Sequence, residues 1–312
     1  MLMLVQAGGA EALPEWRAAF AAADPRLELR GWNDPDVRAE EVHVALVWDP
    51  EPGRLASYPH LRLILCSGAG ADGILRDPLL PRQVPIVRLA TPGAAQRMGE
   101  YVCWAVLSLL KGARRWALNQ AAGRWDYFEP RLSAPECRVG VMGLGVLGAQ
   151  AARMLAALGF PVAGWSRTPK TIPGVESFAG PEALDAFLAR SDILVCLLPD
   201  TPATRGLLSA PLFAKLPPGA AIVNAGRGAQ QVLPDILAAL DAGRLSGAVL
   251  DVFEEEPLPP DHPAWRHPRL IVTPHCAALA PKAERARFAA EVIRRLERGE
   301  PLPNRCDPDR GY

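Results

Sequence analysis

The sequence predicts an α/β protein with two domains, each built on a doubly wound parallel sheet. One observation is length, because 312 residues exceed the size at which a single hydrophobic core usually stops growing. A second is that short apolar runs alternate with helical patterns along the chain. This alternation is typical of parallel strands joined by crossover helices.

Composition excludes several classes of protein. Hydrophobic residues make up 49% and charged residues 22% of the chain, which is ordinary for a globular enzyme. Lys+Arg and Asp+Glu each total 34, so no overall field favours nucleic acid or an anionic membrane. The first nine residues lack a basic segment, and no run of about 18 apolar residues occurs. We therefore expect a cytoplasmic protein with no nucleic-acid or membrane partner.

The six cysteines show no pattern of redox or metal chemistry. They form no CxxC pair and no metal-ligand spacing with the five histidines. Cys66, Cys137 and Cys196 lie in or beside apolar, strand-like runs, where small buried thiols are common. We expect reduced cysteines and no metal.

Residues 1 to about 97 are predicted to form a small α/β unit. Strands are expected at 2–6, 42–48, 63–67 and 86–89, with a helix at 16–23. The glycine-rich turn 67–72, Ser-Gly-Ala-Gly-Ala-Asp, closes the third strand, and its N–H groups could bind an anion. A plain strand-to-helix turn fits the same residues. Trp48 ends the preceding strand, where it either walls a small pocket or fills core.

The next segment predicts a subunit contact. Residues 100–111 form a helix that is apolar on nearly all sides, and such a helix should be buried all round. Residues 116–128 are aromatic and broken by glycine, which favours an arm or loop over a neighbouring subunit. A homodimer is the hypothesis that follows.

A glycine motif in mid-chain predicts a dinucleotide site. A strand at 137–142 leads into Gly143-Leu-Gly145-Val-Leu-Gly148, then a helix at 149–158 and a second strand at 160–166. In this order the first glycine permits a tight turn, the second admits a pyrophosphate, and the third lets the helix pack on the strand. The pyrophosphate would bind at the positive end of the helix.

The end of the second strand indicates which cofactor is used. An NAD site usually carries Asp or Glu about 20 residues after the glycines, where it binds the ribose hydroxyl. Here the sequence reads Trp165-Ser166-Arg167-Thr168, with Lys170 close behind and no carboxylate. Arg167 could bind a phosphate in a forked geometry. We predict NADPH in preference to NADH, the alternative being that Arg167 is an ordinary surface arginine.

The remaining chain continues the parallel sheet. Strands are expected at 192–198, 220–224, 247–252 and 271–273, with helices at 181–189 and 233–242. Ligands of such sheets bind beyond the carboxyl ends of the strands, and Arg227, Glu256 and His275 fall there. Each alone also has a non-catalytic interpretation, as a turn cap, a solvated acid or a core histidine. Together they predict a 2-oxoacid reductase: Arg227 binds the carboxylate, His275 protonates the carbonyl oxygen, and Glu256 orients His275.

The motifs also resemble those of a known family, the D-isomer-specific 2-hydroxyacid dehydrogenases. Six occur in order: 67–72, Gly143 to Gly148, Leu197-Leu-Pro-Asp-Thr201, Asn224-Ala-Gly-Arg-Gly228, Leu250-Asp-Val-Phe-Glu-Glu-Glu-Pro257 and Thr273-Pro-His-Cys-Ala277. Within the family the chain is most similar to the glyoxylate/hydroxypyruvate reductase A branch. That similarity lies at 165–168, 174–177, 263–268, 299–301 and 309–312.

The resemblance implies an activity and an architecture. It implies homodimers that use NADPH in the cytoplasm to reduce glyoxylate and hydroxypyruvate to glycolate and D-glycerate. It also implies a discontinuous substrate domain, 1–97 with 285–312, a Rossmann cofactor domain at 98–284, and an active-site cleft between them. In the family's pattern Arg227 and the backbone of Ala69 and Gly70 share the substrate carboxylate, and Asp251 faces the nicotinamide amide. Cys276 stands where many members carry a larger aliphatic residue, which leaves substrate preference open.

The predicted site consists of catalytic, cofactor-binding and substrate-binding residues. The catalytic residues are Arg227, Glu256 and His275. The predicted cofactor-binding residues are Gly143, Gly145, Val146, Leu147, Gly148, Trp165, Ser166, Arg167, Thr168, Leu198, Pro199, Thr204, Ala225, Gly226 and Asp251. The predicted substrate-binding residues are Trp48, Ala69, Gly70, Arg227 and His275.

Other functions remain possible on the same residues. The chain could reduce a bulkier 2-oxoacid by the same mechanism, or bind NADP(H) as a sensor without catalysis. A β-hydroxyacid dehydrogenase or imine reductase is disfavoured, because those enzymes carry an N-terminal glycine motif and rely on a catalytic lysine. The only lysines here are Lys111, Lys170, Lys215 and Lys282, and none of them lies at the end of a predicted strand as an acid or base should.

Overall fold

The computed structural model describes residues 1–129 and 132–308, which divide into two compact units. Unit 1 contains Met1–Gly93 and the described residues from 279 onward, and unit 2 contains Ala94–Ala278. The predicted domain limits at residues 97 and 285 fall inside helices, a few residues beyond these divisions. The terminal motif 309–312 lies outside the described residues.

Unit 1 is built on a five-stranded parallel sheet. Its strands are β1 (Leu2–Val5), β2 (Glu28–Gly31), β3 (Val42–Val47), β4 (Leu63–Cys66) and β5 (Ile86–Arg88), in the order β2-β1-β3-β4-β5. The four predicted strands are confirmed. The prediction missed β2, a strand at the sheet edge in which only Leu29 is buried, so its sequence shows no apolar run.

Two helices pack together against this sheet. Helix α1 (Leu13–Ala23) contributes Trp16 and Phe20, and the C-terminal helix of the described chain (Lys282–Glu297) contributes small alanines, Ala286 and Ala289, to the same core. The short helix α2 (Asp72–Leu75) follows the glycine-rich turn after β4. The C-terminal segment therefore completes the core of the N-terminal unit.

Unit 2 is built on a seven-stranded sheet in which every neighbouring pair is parallel. The strands are β6 (Val139–Met142), β7 (Val162–Ser166), β8 (Val175–Ala179), β9 (Ile193–Cys196), β10 (Ala220–Asn224), β11 (Leu245–Leu250) and β12 (Leu270–Val272). Their order is β12-β11-β10-β9-β6-β7-β8. The chain proceeds in one direction from β6 to β8 and in the other from β9 to β12. The doubly wound fold is thus confirmed, and its point of reversal lies between β6 and β9, where dinucleotides bind in such sheets.

The helices of unit 2 are α3 to α8. They are α3 (Pro92–Lys111), which begins at the unit boundary, α4 (Ala113–Ala121), α5 (Val146–Ala157), α6 (Leu184–Ala189), α7 (Ala210–Lys215) and α8 (Leu233–Asp241). The prediction missed α7 and also β8, an edge strand whose Glu176 and Ser177 are exposed. None of the helices in the described part of the chain combines the length and apolarity needed to cross a membrane.

Within the single chain, α3 is not buried all round, because Trp104 is 44% exposed, and the predicted subunit contact stays a prediction. One expectation about the segment after α3 was wrong. Residues 116–121 were predicted as part of a loop but belong to α4, and only the stretch after it is irregular. An apolar helix can leave one face exposed in a single chain when that face takes part in an interaction with another molecule.

Candidate active site

The glycine motif forms a tight turn between β6 and α5. Gly143 has φ +95°, a left-handed conformation that L side chains rarely adopt. A Cβ on Gly148 would lie 1.8 Å from the carbonyl oxygen of Gly143, so only glycine lets the helix approach the strand this closely. A Cβ on Gly145 would meet nothing within 4 Å. Gly145 therefore borders open space at the start of the helix.

That open space adjoins the positive end of α5. The helix is 12 residues long, Gly145 is its N-cap, and no side chain caps it. The first backbone hydrogen bond of the helix runs from the N–H of Ala149 to Gly145, which leaves the N–H groups of Val146, Leu147 and Gly148 for another acceptor. Such a helix end attracts anions. The turn fits a pyrophosphate.

The loop after β7 presents cations rather than carboxylates. Trp165 is anchored by its indole N–H, which donates to the carbonyl of Gly180 at 2.8 Å. Ser166 is buried, and its hydroxyl donates to the carbonyl of Thr168 at 2.8 Å. Arg167 and Thr168 are exposed. The exposed guanidinium fits a ribose phosphate better than a bare ribose.

A buried glutamine joins the loops that follow β9 and β10. Gln230 is fully buried, and its Nε2 donates to the carbonyls of Leu198 and Pro199. Its Oε1 accepts from the N–H of Arg227 at 3.0 Å. Thr204 donates its hydroxyl to the carbonyl of Pro199 at 2.7 Å. These bonds fix the predicted cofactor residues Leu198, Pro199 and Thr204 beside the loop that carries Arg227.

Arg227 is held at the carboxyl end of β10 by side chains behind it. Asn224 is fully buried and donates to the carbonyl of Arg227 at 3.1 Å, while its own oxygen accepts from the N–H of Gly226 at 3.1 Å. Gln231 accepts from Asn224 at 2.9 Å and donates to the carbonyl of Val252 at 2.9 Å. The loop after β10 is thereby tied to the end of β11. The Arg227 guanidinium stays half-buried and donates to the carbonyl of Gly226.

Glu256 and His275 form a pair, as predicted from their roles. The Nδ1 atom of His275 lies 2.7 Å from Oε2 of Glu256, and Oε1 of Glu256 accepts from the N–H of Phe253 at 2.8 Å. Burial opposes ionisation of Glu256, but these hydrogen bonds and the charge of Arg227 outweigh it and lower the pKa of the carboxyl. The ionised Glu256 therefore fixes the orientation of the His275 ring through Nδ1.

Asp251 fixes the backbone that carries His275. It is 1% exposed. Its carboxylate accepts from the N–H groups of Cys276 and Ala277, each at 2.9 Å, and from the hydroxyl of Thr273 at 2.6 Å. The backbone carbonyl of Asp251 also accepts from the N–H of His275 at 2.8 Å. These bonds hold His275 at φ 52°, a conformation that costs energy for residues other than glycine.

A tyrosine extends this network. The hydroxyl of Tyr101, on α3, lies 2.6 Å from that of Thr273. Burial is the main reason that the pKa of Tyr101 is raised well above its ordinary value, so the phenol stays neutral. The prediction assigned Asp251 to the nicotinamide amide, and that contact remains a prediction. The bonds seen here give Asp251 an additional role in positioning His275.

The remaining predicted substrate residues lie in unit 1. Trp48 is 37% exposed, so it does not fill the core. A Cβ on Gly68 would lie 2.3 Å from the indole ring, which shows that Trp48 packs directly on the glycine-rich turn. Ala69 and Gly70 are half-buried in that turn. Trp48 and the two predicted backbone donors therefore form one surface of unit 1.

The residues that position the catalytic side chains were not predicted from the sequence. Gln230, Gln231 and Thr273 each lie within a few residues of a predicted catalytic side chain, and their burial was the signal that a single sequence does not show. Tyr101 is 172 positions from Thr273, and only the packing of α3 brings them together. Ala225 and Gly226, predicted from the family pattern, lie in the turn that Asn224 organises.

Comparison with known proteins adds independent information. Residues 103–277 match the family described as D-isomer-specific 2-hydroxyacid dehydrogenase, NAD-binding domain. A D-isomer-specific 2-hydroxyacid dehydrogenase from Xanthobacter autotrophicus Py2, solved with NADPH and MES, is 44% identical to this chain. The two superpose with a TM-score of 0.92 over 100% of this chain and 99% of that one.

Two further solved structures are similar to this chain over its full length. The NADPH-dependent glyoxylate/hydroxypyruvate reductase of Sinorhizobium meliloti, solved with NADP and sulfate, is 40% identical, with a TM-score of 0.92. A probable 2-hydroxyacid dehydrogenase from Rhizobium etli CFN 42, solved with NADP, HEPES and L(+)-tartaric acid, is 39% identical, with a TM-score of 0.91. Each superposition covers 100% of this chain and 99% of the other.

Proposed function

The chain belongs to the D-isomer-specific 2-hydroxyacid dehydrogenase family, and we propose that it uses NADPH to reduce glyoxylate and hydroxypyruvate to glycolate and D-glycerate. The observation that carries this proposal is the Glu256–His275 pair, 2.7 Å apart, at the carboxyl edge of the sheet that bears the glycine motif. The reported activity of the similar Sinorhizobium meliloti enzyme supports the choice of substrates.

The residues of the chain divide the chemistry between them. NADPH supplies the hydride. Arg227 binds the carboxylate of the 2-oxoacid and orients its carbonyl. His275 donates a proton from Nε2 to the carbonyl oxygen, so that an alcohol rather than an alkoxide is formed. Glu256 holds the imidazole through Nδ1, while Asp251 keeps the backbone of His275 in place.

The glycine turn and the loop after β7 support the cofactor assignment. The uncapped start of α5 would hold the pyrophosphate, and Arg167 would bind the ribose phosphate, which NADH lacks. Arg167→Ala should raise the KM for NADPH by about tenfold, the loss expected for one charged hydrogen bond, with no change in the KM for NADH. Equal effects on both cofactors would contradict the phosphate role.

The experiment that tests the function follows NADPH oxidation with a panel of 2-oxoacids, each repeated with NADH. Rapid turnover of glyoxylate and hydroxypyruvate with NADPH is the expected result. Turnover confined to larger 2-oxoacids would retain the mechanism and change the substrate. NADPH binding without turnover of any 2-oxoacid would contradict the proposal and favour a non-catalytic sensor.

A homodimer is the second part of the proposal. Unit 2 exposes an apolar groove of about 740 Å³ between α3, α4 and α5, lined by Trp104, Leu107, Trp116 and Leu158 among others. In the irregular segment after α4, Trp125 is fully exposed and Tyr127 is 79% exposed. Large exposed apolar surfaces mark interaction sites, and zero net charge does not oppose self-association. The occupant we infer is a second copy of this chain. The cytoplasmic location remains a prediction.

A further inference from the structure

The glycine-rich turn of unit 1 has its backbone carbonyls occupied by donors from unit 1 itself. Arg285 donates from Nη1 to the carbonyl of Ser67 at 3.0 Å, and Arg88 donates from Nη1 to that of Ala69 at 3.3 Å. The thiol of Cys66 donates to the carbonyl of Gly70 at 2.8 Å. In the described chain, the N–H groups of residues 68–70 reach no protein acceptor.

Neither arginine forms a close ion pair among the described residues, although the charges of Glu15 and Glu284 act on Arg285 from a greater distance. The Nε atoms of both arginines are buried without a hydrogen-bond partner. Arg285 lies over the ring of the buried Trp16, with its Cζ atom 4.8 Å from the ring centroid. Burial lowers the pKa of Arg285, which reflects the cost of keeping this charge away from water.

Two half-buried cations behind a turn with available N–H groups make a positive site that suits an anion. Keeping such charges away from water is costly, and an exposed arginine or an apolar residue would fill the same place at less cost. A bound carboxylate would use both features, because it accepts from the N–H groups and is attracted by the two charges.

We propose that Arg88 and Arg285 are positioning residues for the carboxylate of the 2-oxoacid substrate. They hold the Ser67 and Ala69 carbonyls so that the N–H groups of the turn remain available, and their charge increases the affinity of the turn for the anion. This proposal rests on the proposed function and on the prediction that the backbone of Ala69 and Gly70 binds the substrate carboxylate together with Arg227.

Arg285→Met removes the charge and the donor but keeps an unbranched apolar stem. The KM for glyoxylate should rise by about tenfold, as expected for one lost charged hydrogen bond. The kcat and the KM for NADPH should stay within about twofold, since the hydride and proton donors are unaltered. Arg285→Lys, which retains the charge, should recover part of the loss. Arg287→Met is the matched control, because Arg287 is an exposed arginine on the same helix.

Arg88→Met provides a second variant should Arg285→Met not fold. It should also raise the KM for glyoxylate, and it should weaken the thermal stabilisation that the carboxylate oxamate gives to the protein. An unchanged KM in a folded Arg285→Met or Arg88→Met protein would overturn the proposal, as would an equal rise for NADPH.

The oxamate measurement distinguishes failure of the anion-positioning role from failure of the proposed function. A wild-type protein that reduces no 2-oxoacid contradicts the proposed function. If that protein is nevertheless stabilised by oxamate, and the stabilisation is lost in Arg285→Met but retained in Arg287→Met, the anion-positioning role stands. The absence of stabilisation by oxamate in a non-reducing wild-type protein would overturn both.

Discussion

His275 combines a strained backbone with an oriented side chain, and a single substitution can separate the two. Asparagine tolerates the left-handed conformation better than most residues, so His275→Asn should keep the loop intact at φ 52°. It has no acid to protonate the carbonyl oxygen. We expect kcat for glyoxylate to fall by about 10²–10⁴, with the Kd of NADPH unchanged as measured by fluorescence. Turnover close to that of the wild type would exclude His275 as the acid.

Glu256 should control the orientation of the catalytic imidazole. Its carboxylate lies 2.7 Å from Nδ1 of His275, and Glu256→Gln retains the shape of the side chain while removing its charge. Because the hydrogen bond to the ring is weakened, kcat for glyoxylate should fall by about tenfold, measured with NADPH saturating. A kcat equal to that of the wild type would contradict the role of this carboxylate.

The same substitution has an independent readout in stability. The pKa of Glu256 is lowered in the folded protein from its ordinary value of 4.5, so ionised Glu256 stabilises the fold above that value. This contribution is lost as the pH falls through the lowered pKa. The wild type should lose stability relative to Glu256→Gln on acidification, and denaturant unfolding at neutral and acid pH measures the difference.

The sequence predicts the catalytic residues better than the buried residues that position them. Arg227, Glu256 and His275 each follow a strand of one parallel sheet, so topology alone brings them to one edge. The 2.7 Å contact between Glu256 and His275 was expected from their roles. The bonds of Gln230 and Tyr101 depend on side-chain packing between elements distant in the chain, which periodicity does not encode.

Among the elements, the turn between β6 and α5 makes two neighbouring glycines behave differently. A Cβ on Gly148 would meet the Gly143 carbonyl at 1.8 Å, whereas a Cβ on Gly145 meets no protein atom within 4 Å. Gly148→Ala should lower the free energy of unfolding by about 1–3 kcal/mol, the usual cost of overpacking. Gly145→Ala should leave the stability of the cofactor-free protein within about 0.5 kcal/mol and weaken NADPH binding at least tenfold, because the methyl group enters the pyrophosphate position.

Denaturant unfolding and NADPH titration of both variants check this pair. Each variant is the control for the other, because the substitution is the same and only the surroundings differ. Gly145→Ala with normal NADPH affinity would contradict the assignment of this turn to the pyrophosphate. Loss of stability in Gly145→Ala would show that the open space is not open in solution.

The two strands that the sequence did not predict share a physical cause. Strands β2 and β8 lie at sheet edges, where one side of the strand is unpaired and few side chains are buried, so neither shows a continuous apolar run. Helix α4 was missed because its one aromatic residue, Trp116, was grouped with the aromatic residues of the irregular segment that follows. Central strands such as β9, buried along their full length, were predicted because burial on both faces produces an apolar run.

For the whole molecule, the fold class follows from the alternation of strands and helices and from the linked motifs. The exposed apolar surface of unit 2 could not be predicted from the sequence and is seen only in the structure. The periodicity of α3 indicates burial and does not say by what. In the structure Trp104 on α3 and Trp116 on α4 are 44% and 48% exposed. Covering such surfaces with a second copy removes apolar area from water, which contributes about 25 cal/mol per Å² in favour of association.

The test places a charge on this surface. The wild-type protein should sediment at twice 33.5 kDa at micromolar concentration, and Trp104→Glu should sediment as a monomer, because a carboxylate in an apolar interface has no partner. Leu79→Glu is the control, since Leu79 is a 64% exposed apolar residue in unit 1. It should remain dimeric. A monomeric wild type would show the dimer prediction to be wrong, and a dimeric Trp104→Glu would move the interface away from α3. Circular dichroism of both variants should match the wild type, because each substituted side chain is already in contact with water.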